Sequence, residues 1–282
     1  VVIVFAAVAT VLLVPAWPAL AHSGLGFVTG TKWDPPDAIY GALPFIVGTL
    51  LTSAIGLLFA VPIGVGAAIF LAEFAPRRIG GVLSTLVELL AAVPSVVYGL
   101  WGLFVLGPIF ANVIEPHLSF LPFAKGPVLG VGLLLSGVVL AVMVLPIITA
   151  VTRDLARAVP APTREAVYGL GGTRWQVVRR AVLPSIRAGV IGAIVLALGR
   201  ALGETMAVTF VIGNTNAIPS SLLGPAQTLS SLIANEFGEA TEPFHESAVL
   251  AIAVLLVVIA VLVNILARTL VWSVNRQVKE TV

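Results

Sequence analysis

Six runs of predominantly apolar residues dominate the chain: Val1–Leu20, Phe45–Phe70, Val82–Leu106, Val128–Val151, Ala188–Ile212 and Ala248–Leu270. Polar connections rich in Pro, Gly, Asn and Asp separate them. At about 1.5 Å of rise per residue, a helix of roughly 20 apolar residues crosses the hydrocarbon core of a bilayer. The pattern therefore predicts an all-α polytopic membrane protein with six transmembrane helices. A single transmembrane domain over residues 1–282 is expected, with one long connection at 152–187. The run Ala188–Ile212 is read as one uninterrupted helix of about 37 Å, and Pro94 as a kink within the third span.

Composition sharpens this. Hydrophobic residues make up 59% of the chain and charged residues only 10%, against about 25% charged in soluble domains. The net charge of +2 says little; the placement of the charges says more. Arg77 and Arg78 follow the second run, and Arg153, Arg157, Arg164, Arg174, Arg179, Arg180 and Arg187 crowd the connection after the fourth. Arg268, Arg276 and Lys279 mark the C-terminal end, whereas the opposite connections hold only Lys32 and Lys125. Basic loops stay cytoplasmic, so both termini are expected on that side, which requires an even number of spans. Ala19-Leu20-Ala21 resembles a signal-peptidase site. No basic segment precedes it and the chain does not begin with Met, so a first membrane helix whose cytoplasmic tail is absent from this sequence is the expected reading.

Several chemistries find no residues to carry them. There is no cysteine, hence no disulfide, thiol nucleophile or Cys-based metal site. The phosphate-cradling G-x-x-x-x-G-K-[ST] sequence does not occur; GLGGTRWQ lacks the lysine. Gly24–Gly30 is glycine-rich, but no strand leads into it. His22, His117 and His245 are scattered over outer connections and read as solvated residues rather than metal ligands. No catalytic residue, metal site or bound cofactor is expected, and the chain does not read as an enzyme.

Two stretches carry candidate function. In GRALGETMAV, Arg200 and Glu204 stand inside an apolar run, where one charge costs roughly 2.5–3.5 kcal/mol to insert. Four residues apart on one helix, they would share a face and meet, with Gly199, Gly203 and Ala207 as a small-residue stripe for close helix approach. Two readings follow: a substrate pathway with Thr205 beside them, or an ion pair that only fixes packing. Glu88, near the cytoplasmic end of the third run, reads as a further pathway residue or as a snorkelling or capping one. Glu236, Glu239, Glu242 and Glu246 read as a solvated acidic outer surface, or as a contact for an extracytoplasmic binding protein.

The second stretch is APTREAVYGLGGTRWQVVRRAVLP, residues 161–184. It predicts a short helix from Thr163, a break at Gly171-Gly172, and a second helix that Thr173 and Gln176 open with capping-box spacing. Pro184 is expected to interrupt the pattern before the fifth span. A hairpin this basic and ordered reads as a docking element or as a topological connection.

This stretch resembles the EAA motif of type I ABC-importer permeases, the MetI-like fold, with Glu165, Ala166, Gly171, Leu183 and Pro184 in register and Val167 and Ala181 departing from it. The resemblance implies that Glu165, Ala166, Tyr168, Gly169, Gly171 and Gly172 couple to a cytoplasmic ATPase. LGRALGETMAVTFVIGN, FLAEFAP and ELLAAVPSVVYGLWGLFVLGP resemble the PstC family of phosphate-importer permeases more than the sister PstA family. That implies inorganic phosphate as substrate and a bacterial plasma membrane as location. It also implies three partners: a PstA permease, two copies of the ATPase PstB carrying ATP and Mg, and the binding protein PstS. Arginine supplies the planar, permanently charged fork that phosphate needs. Sulfate or molybdate as cargo is the alternative, and an ATP-independent channel or secondary transporter a further one, disfavoured by the EAA-like loop and the lack of an evident inverted repeat.

Overall fold

The structure is a computed structural model that describes residues 2–118, 120 and 129–279, so Lys125 lies outside the described residues. Helices dominate it. In chain order they are α1 (Val2–Ser23), α2 (Leu25–Thr29), α3 (Leu43–Ile69), α4 (Arg77–Ala92), α5 (Ser95–Trp101), α6 (Gly107–Ile109), α7 (Glu115–Leu118) and α8 (Leu133–Ala158). Then follow α9 (Ala161–Gly169), α10 (Arg174–Val177), α11 (Leu183–Leu202), α12 (Met206–Val211), α13 (Leu229–Glu236) and α14 (Pro243–Lys279). One short hairpin, β1 (Trp33–Asp34) with β2 (Ile39–Tyr40), pairs antiparallel with Trp33 opposite Tyr40.

Among the described residues, five stretches are long and apolar enough to cross a membrane: Leu43–Phe74, Ser95–Leu118, Leu133–Ala158, Arg174–Leu202 and Pro243–Thr269. The 22-residue α1 is the sixth apolar helix. The all-α, six-span architecture is thus what the hydropathy pattern predicts, with two boundaries redrawn.

The third span is one of them. The expected Val82–Leu106 helix is cut at Val93, where the chain turns extended (φ −65°, ψ 130°) before Pro94. A proline clashes with a helical conformation at the preceding residue, and here the result is a full break rather than a kink. Residues 77–92 form a separate helix, α4, whose Ile79, Val82, Leu86 and Leu89 are exposed at helical spacing. The span itself begins at Ser95. Glu88 therefore belongs to α4 and not to a membrane-crossing helix.

The fifth span is the other. Its helical course starts early, at Arg174, and Pro184 does not interrupt it. Instead a π-turn, Val178–Val182, precedes the proline, with the Leu183 N–H donating to the Val178 carbonyl. The same device recurs at Gly102–Leu106 before Pro108 and at Phe110–Ile114 before Pro116, whereas the π-turn Phe70–Phe74 ends its helix ahead of an extended Ala75 and Pro76. A helical proline lacks a donor and its ring presses on the carbonyl four residues back; a widened turn relieves that contact and regains a hydrogen bond.

The chain divides into two compact units. The first comprises Val1–Ile55, Pro94–Leu140 and Leu202–Leu262. Its core packs Phe27, Trp33, Tyr40 and Phe45 against Leu229, Leu232, Val249 and Ile252, with the Trp33 ring edge-on to Tyr40 at 4.9 Å. Here Gly48 is indispensable as glycine, because a Cβ would lie 2.1 Å from the Gln227 carbonyl oxygen. That approach lets Thr49 Oγ1 accept from the Leu229 N–H at 2.9 Å, at the start of α13. Glu115, 2% exposed, accepts from the Leu129 and Gly130 N–H groups at 2.9 and 3.1 Å and pins the outer connection after α7.

The expectation of a wholly solvated acidic outer loop, and of His245 as a solvated residue, does not hold. His245 is buried and lies 2.8 Å from Glu236 through Nε2, with its ring stacked on Tyr40. Burial, followed by the charges of Glu242 and Glu236, pushes the Tyr40 phenol above its ordinary pKa. Glu239, Glu242 and Glu246 are exposed as expected.

The second unit comprises Gly56–Val93, Ala141–Ala201 and Val263–Val282. Its core gathers Ile69, Ala156 and Val159 with Val177, Val178, Ala181, Val182 and Ile186. At Gly64 the backbone of α3 approaches Ile148, and Thr149 Oγ1 donates to the Gly64 carbonyl at 3.3 Å.

Candidate functional site

The helix that carries Arg200 ends at Leu202, and Gly203–Thr205 is non-helical before α12 begins at Met206. An i,i+4 pair needs one continuous helix, so Arg200 and Glu204 do not share a helix face. No ion pair joins them among the described residues. The expected stripe of Gly199, Gly203 and Ala207 is interrupted for the same reason. The close helix approach is at Ala207, where a Cβ on Gly99 of α5 would lie 2.9 Å from the Ala207 Cα, while Gly199 has Asn264 of α14 beside it at ordinary contact distance.

Glu204 has other work. It is 9% exposed, and its Oε1 accepts from the Ala207 N–H at 3.2 Å, capping α12. Its carbonyl accepts from Ser230 Oγ at 2.6 Å. Thr205, half-buried, is the residue before α12; its hydroxyl donates to the Gly203 carbonyl at 3.2 Å. Buried donors at a helix start require acceptors, and Glu204 supplies one from a position where hydropathy shows only an apolar run. Ser230 is a site neighbour that no sequence pattern marks; its partner lies 26 residues away.

Arg200 is exposed near the end of α11, and among the described residues its guanidinium enters no ion pair or hydrogen bond. Three other arginines of the second unit are engaged, Arg157 through a 3.4 Å hydrogen bond from Nη2 to the Leu71 carbonyl. Arg153, 6% exposed, lies 3.1 Å from Glu88 and 2.8 Å from Asp154. Arg164 lies 2.8 Å from Glu73. Glu88 is thus a counter-ion that ties α4 to α8. Nothing in the sequence marks Arg153, Arg164 or Glu73 as a candidate, because partners 65 and 91 residues apart leave no local signal.

The hairpin after α8 takes its expected form, with the first helix starting at Ala161, two residues ahead of Thr163. Thr173 and Gln176 make the full capping box: Thr173 N–H to Gln176 Oε1 at 2.7 Å, and Gln176 N–H to Thr173 Oγ1 at 3.4 Å. Gly171 adopts φ +79°, the left-handed conformation that favours glycine. Glu165, Ala166, Tyr168, Gly169 and Gly171 are exposed and Gly172 is half-buried. Tyr168, Leu170 and Trp175 extend the exposed surface with large apolar side chains. Such a patch on a connection flanked by membrane helices marks an interaction surface.

Comparison with known proteins matches residues 60–276 to a family described as binding-protein-dependent transport system inner membrane component. A phosphate transport system permease protein PstC of Mesorhizobium japonicum is 44% identical over 98% of this chain and 86% of its own length. PstC of Haemophilus influenzae is 45% identical over 97% of the chain and 89% of that protein. PstC 1 of Mycobacterium tuberculosis is 41% identical over 94% and 86%. Among solved structures, the inward-facing MetNI methionine ABC transporter aligns with a TM-score of 0.59 at 20% identity, covering 83% of this chain and 94% of that one. A bacterial alginate ABC transporter in complex with its periplasmic protein aligns with a TM-score of 0.61 at 20% identity, covering 90% and 85%. At that identity the likeness establishes the fold.

Proposed function

Because the chain belongs to the family of binding-protein-dependent transport system inner membrane components, we propose that it is the phosphate-translocating permease of an ABC importer. It is a multi-pass membrane subunit of the transporter. In this reading a second permease of the PstA type completes the path. Two PstB ATPases bind ATP and Mg, and PstS delivers phosphate from outside. The hairpin 161–184 receives the ATPase, with Glu165, Ala166, Tyr168, Gly169, Gly171 and Gly172 at the contact.

The observation that carries the substrate is Arg200. A guanidinium at the end of an apolar helix, with no carboxylate engaged among the described residues, is suited to a bidentate, charge-assisted contact with a tetrahedral oxyanion. Glu204 and Thr205 belong to the same stretch. Their role is to hold the chain in its break, Glu204 through the Ala207 cap and Thr205 through its hydroxyl. Glu88 acts through Arg153 rather than on phosphate directly.

Reconstitution of the four-component complex in proteoliposomes tests this. Radiolabelled phosphate should accumulate only with ATP inside and binding protein outside, and sulfate or molybdate should not compete. ATP-independent accumulation would indicate a channel or secondary transporter, and preferential uptake of sulfate or molybdate would overturn the substrate.

The reading also sets the topology: both termini and the hairpin face the cytoplasm. The chain has no cysteine, so single cysteines report cleanly. Glu239→Cys should react with an impermeant thiol reagent added to intact cells, and Thr173→Cys only after permeabilisation. Labelling of Thr173→Cys from outside would reverse the orientation.

A further inference from the structure

Arg164 is the residue before Glu165, on a helix that has no buried residue. Such a helix is held by few attachments, and two stand out. Val167 packs on the core that joins Val177, Val178 and Val182 of the fifth span with Ile69, Ala156 and Val159. Arg164 reaches the other way. Its Nη2 donates to Glu73 Oε1 at 2.8 Å and to the Ala156 carbonyl at 2.7 Å, its Nε to Glu73 Oε1 at 3.3 Å, and its Nη1 to the Val159 carbonyl. Ala156 lies in the last turn of α8 and Val159 just beyond it, where free carbonyls and the negative end of the helix dipole favour a cation. Glu73 lies in the π-turn Phe70–Phe74 that closes the second span. The side chains are 21% and 13% exposed, so this is not the solvated type of pair that contributes little.

We propose that Arg164 and Glu73 are positioning residues that couple the ATPase-facing hairpin to the second and fourth spans. The proposal deepens the importer reading and rests on it. A push on α9 reaches the fourth span along the chain and the apolar core of the unit through Val167; the Arg164 guanidinium adds the polar tie to Glu73 at the end of the second span. The planar fork matters because it serves a carboxylate and two carbonyls at once, which an ammonium on a flexible stem does not reproduce. The receiving end is itself a π-turn, a feature frequent at functional sites. Severing the link should leave ATP hydrolysis running while phosphate movement falls behind it.

The test uses the complete reconstituted complex and reads phosphate taken up per ATP hydrolysed, with assembly measured by co-purification of the ATPase. Glu73→Gln, Glu73→Ala and Arg164→Lys should each assemble, retain hydrolysis, and lower that ratio about fivefold or more, the lower end of typical coupling between sites. Glu73→Cys with Arg164→Cys, in a chain otherwise free of cysteine, should be uncoupled when reduced and regain much of the ratio when joined by a short bifunctional thiol reagent. A merely structural pair would lower the amount of complex and leave the ratio per assembled complex unchanged. That result, or a ratio that cross-linking does not restore, overturns the proposal. Glu73→Gln retains an acceptor for Arg164, so it reports even where Glu73→Ala fails to assemble. Wild-type complex that imports no phosphate would instead contradict the importer reading itself.

Discussion

Arg200→Lys and Arg200→Gln should both lose most phosphate uptake while the complex still assembles. Lysine keeps the charge and loses the bidentate fork; glutamine loses the charge. Hydrogen bonds to charged groups contribute about 1.5–3 kcal/mol each, so removing one from the translocating state lowers the rate roughly tenfold or more. Glu204 makes the prediction sharper. Were Arg200 and Glu204 a buried ion pair, deleting one partner would cost roughly 3–5 kcal/mol and appear as failed assembly. The additional change Glu204→Gln would then repair both assembly and transport. The Glu204 carboxylate instead caps Ala207, a contact that glutamine reproduces through its own Oε1. The double variant Arg200→Gln with Glu204→Gln should therefore assemble and stay inactive, and normal uptake by it would remove Arg200 from the path.

Gly171→Asp should abolish uptake and leave the permease in the membrane. Gly171 holds φ +79°, and a Cβ there would meet no atom within 4 Å. The cost to this chain is backbone strain alone, of order 1–3 kcal/mol for a non-glycine residue in that region. Aspartate tolerates the conformation better than most residues, so the fold survives. The damage lies in a carboxylate placed on the exposed break between α9 and α10, against the surface proposed to receive the ATPase. Gly171→Ala carries the strain without the charge and should retain more uptake than Gly171→Asp. Equal and undiminished uptake in both, at normal expression, would show that the break does not touch the ATPase.

Which features are legible in the chain, and which are not, follows from which forces are local. Hydropathy locates the membrane helices because crossing a bilayer demands a continuous apolar run, whatever the tertiary packing. The capping box at Thr173 and the left-handed glycine at Gly171 are legible because both are settled within four residues. The break at Gly203–Thr205 is not, since hydropathy averages over it and glycine is common inside membrane helices. Its signal is Glu204 itself: a carboxylate three residues ahead of an N–H that needs an acceptor. Pro94 marks a disturbance but not its size, because a proline's effect on Val93 depends on whether neighbouring packing permits the turn. The ties of Arg153 to Glu88 and of Arg164 to Glu73 span 65 and 91 residues and exist only once the helices have packed.

The claim at the centre of this account is that phosphate passes Arg200. Leu196 lies one turn earlier on the same helix and is 60% exposed, so in the cysteine-free chain Leu196→Cys places a single thiol beside the guanidinium. The rate at which a small hydrophilic thiol reagent modifies it in the reconstituted, ATP-cycling complex is the most direct measurement. The account predicts modification that saturating phosphate slows and sulfate does not, with the protection lost in Leu196→Cys combined with Arg200→Gln. A thiol that does not react, or one modified at the same rate with and without phosphate, would contradict it.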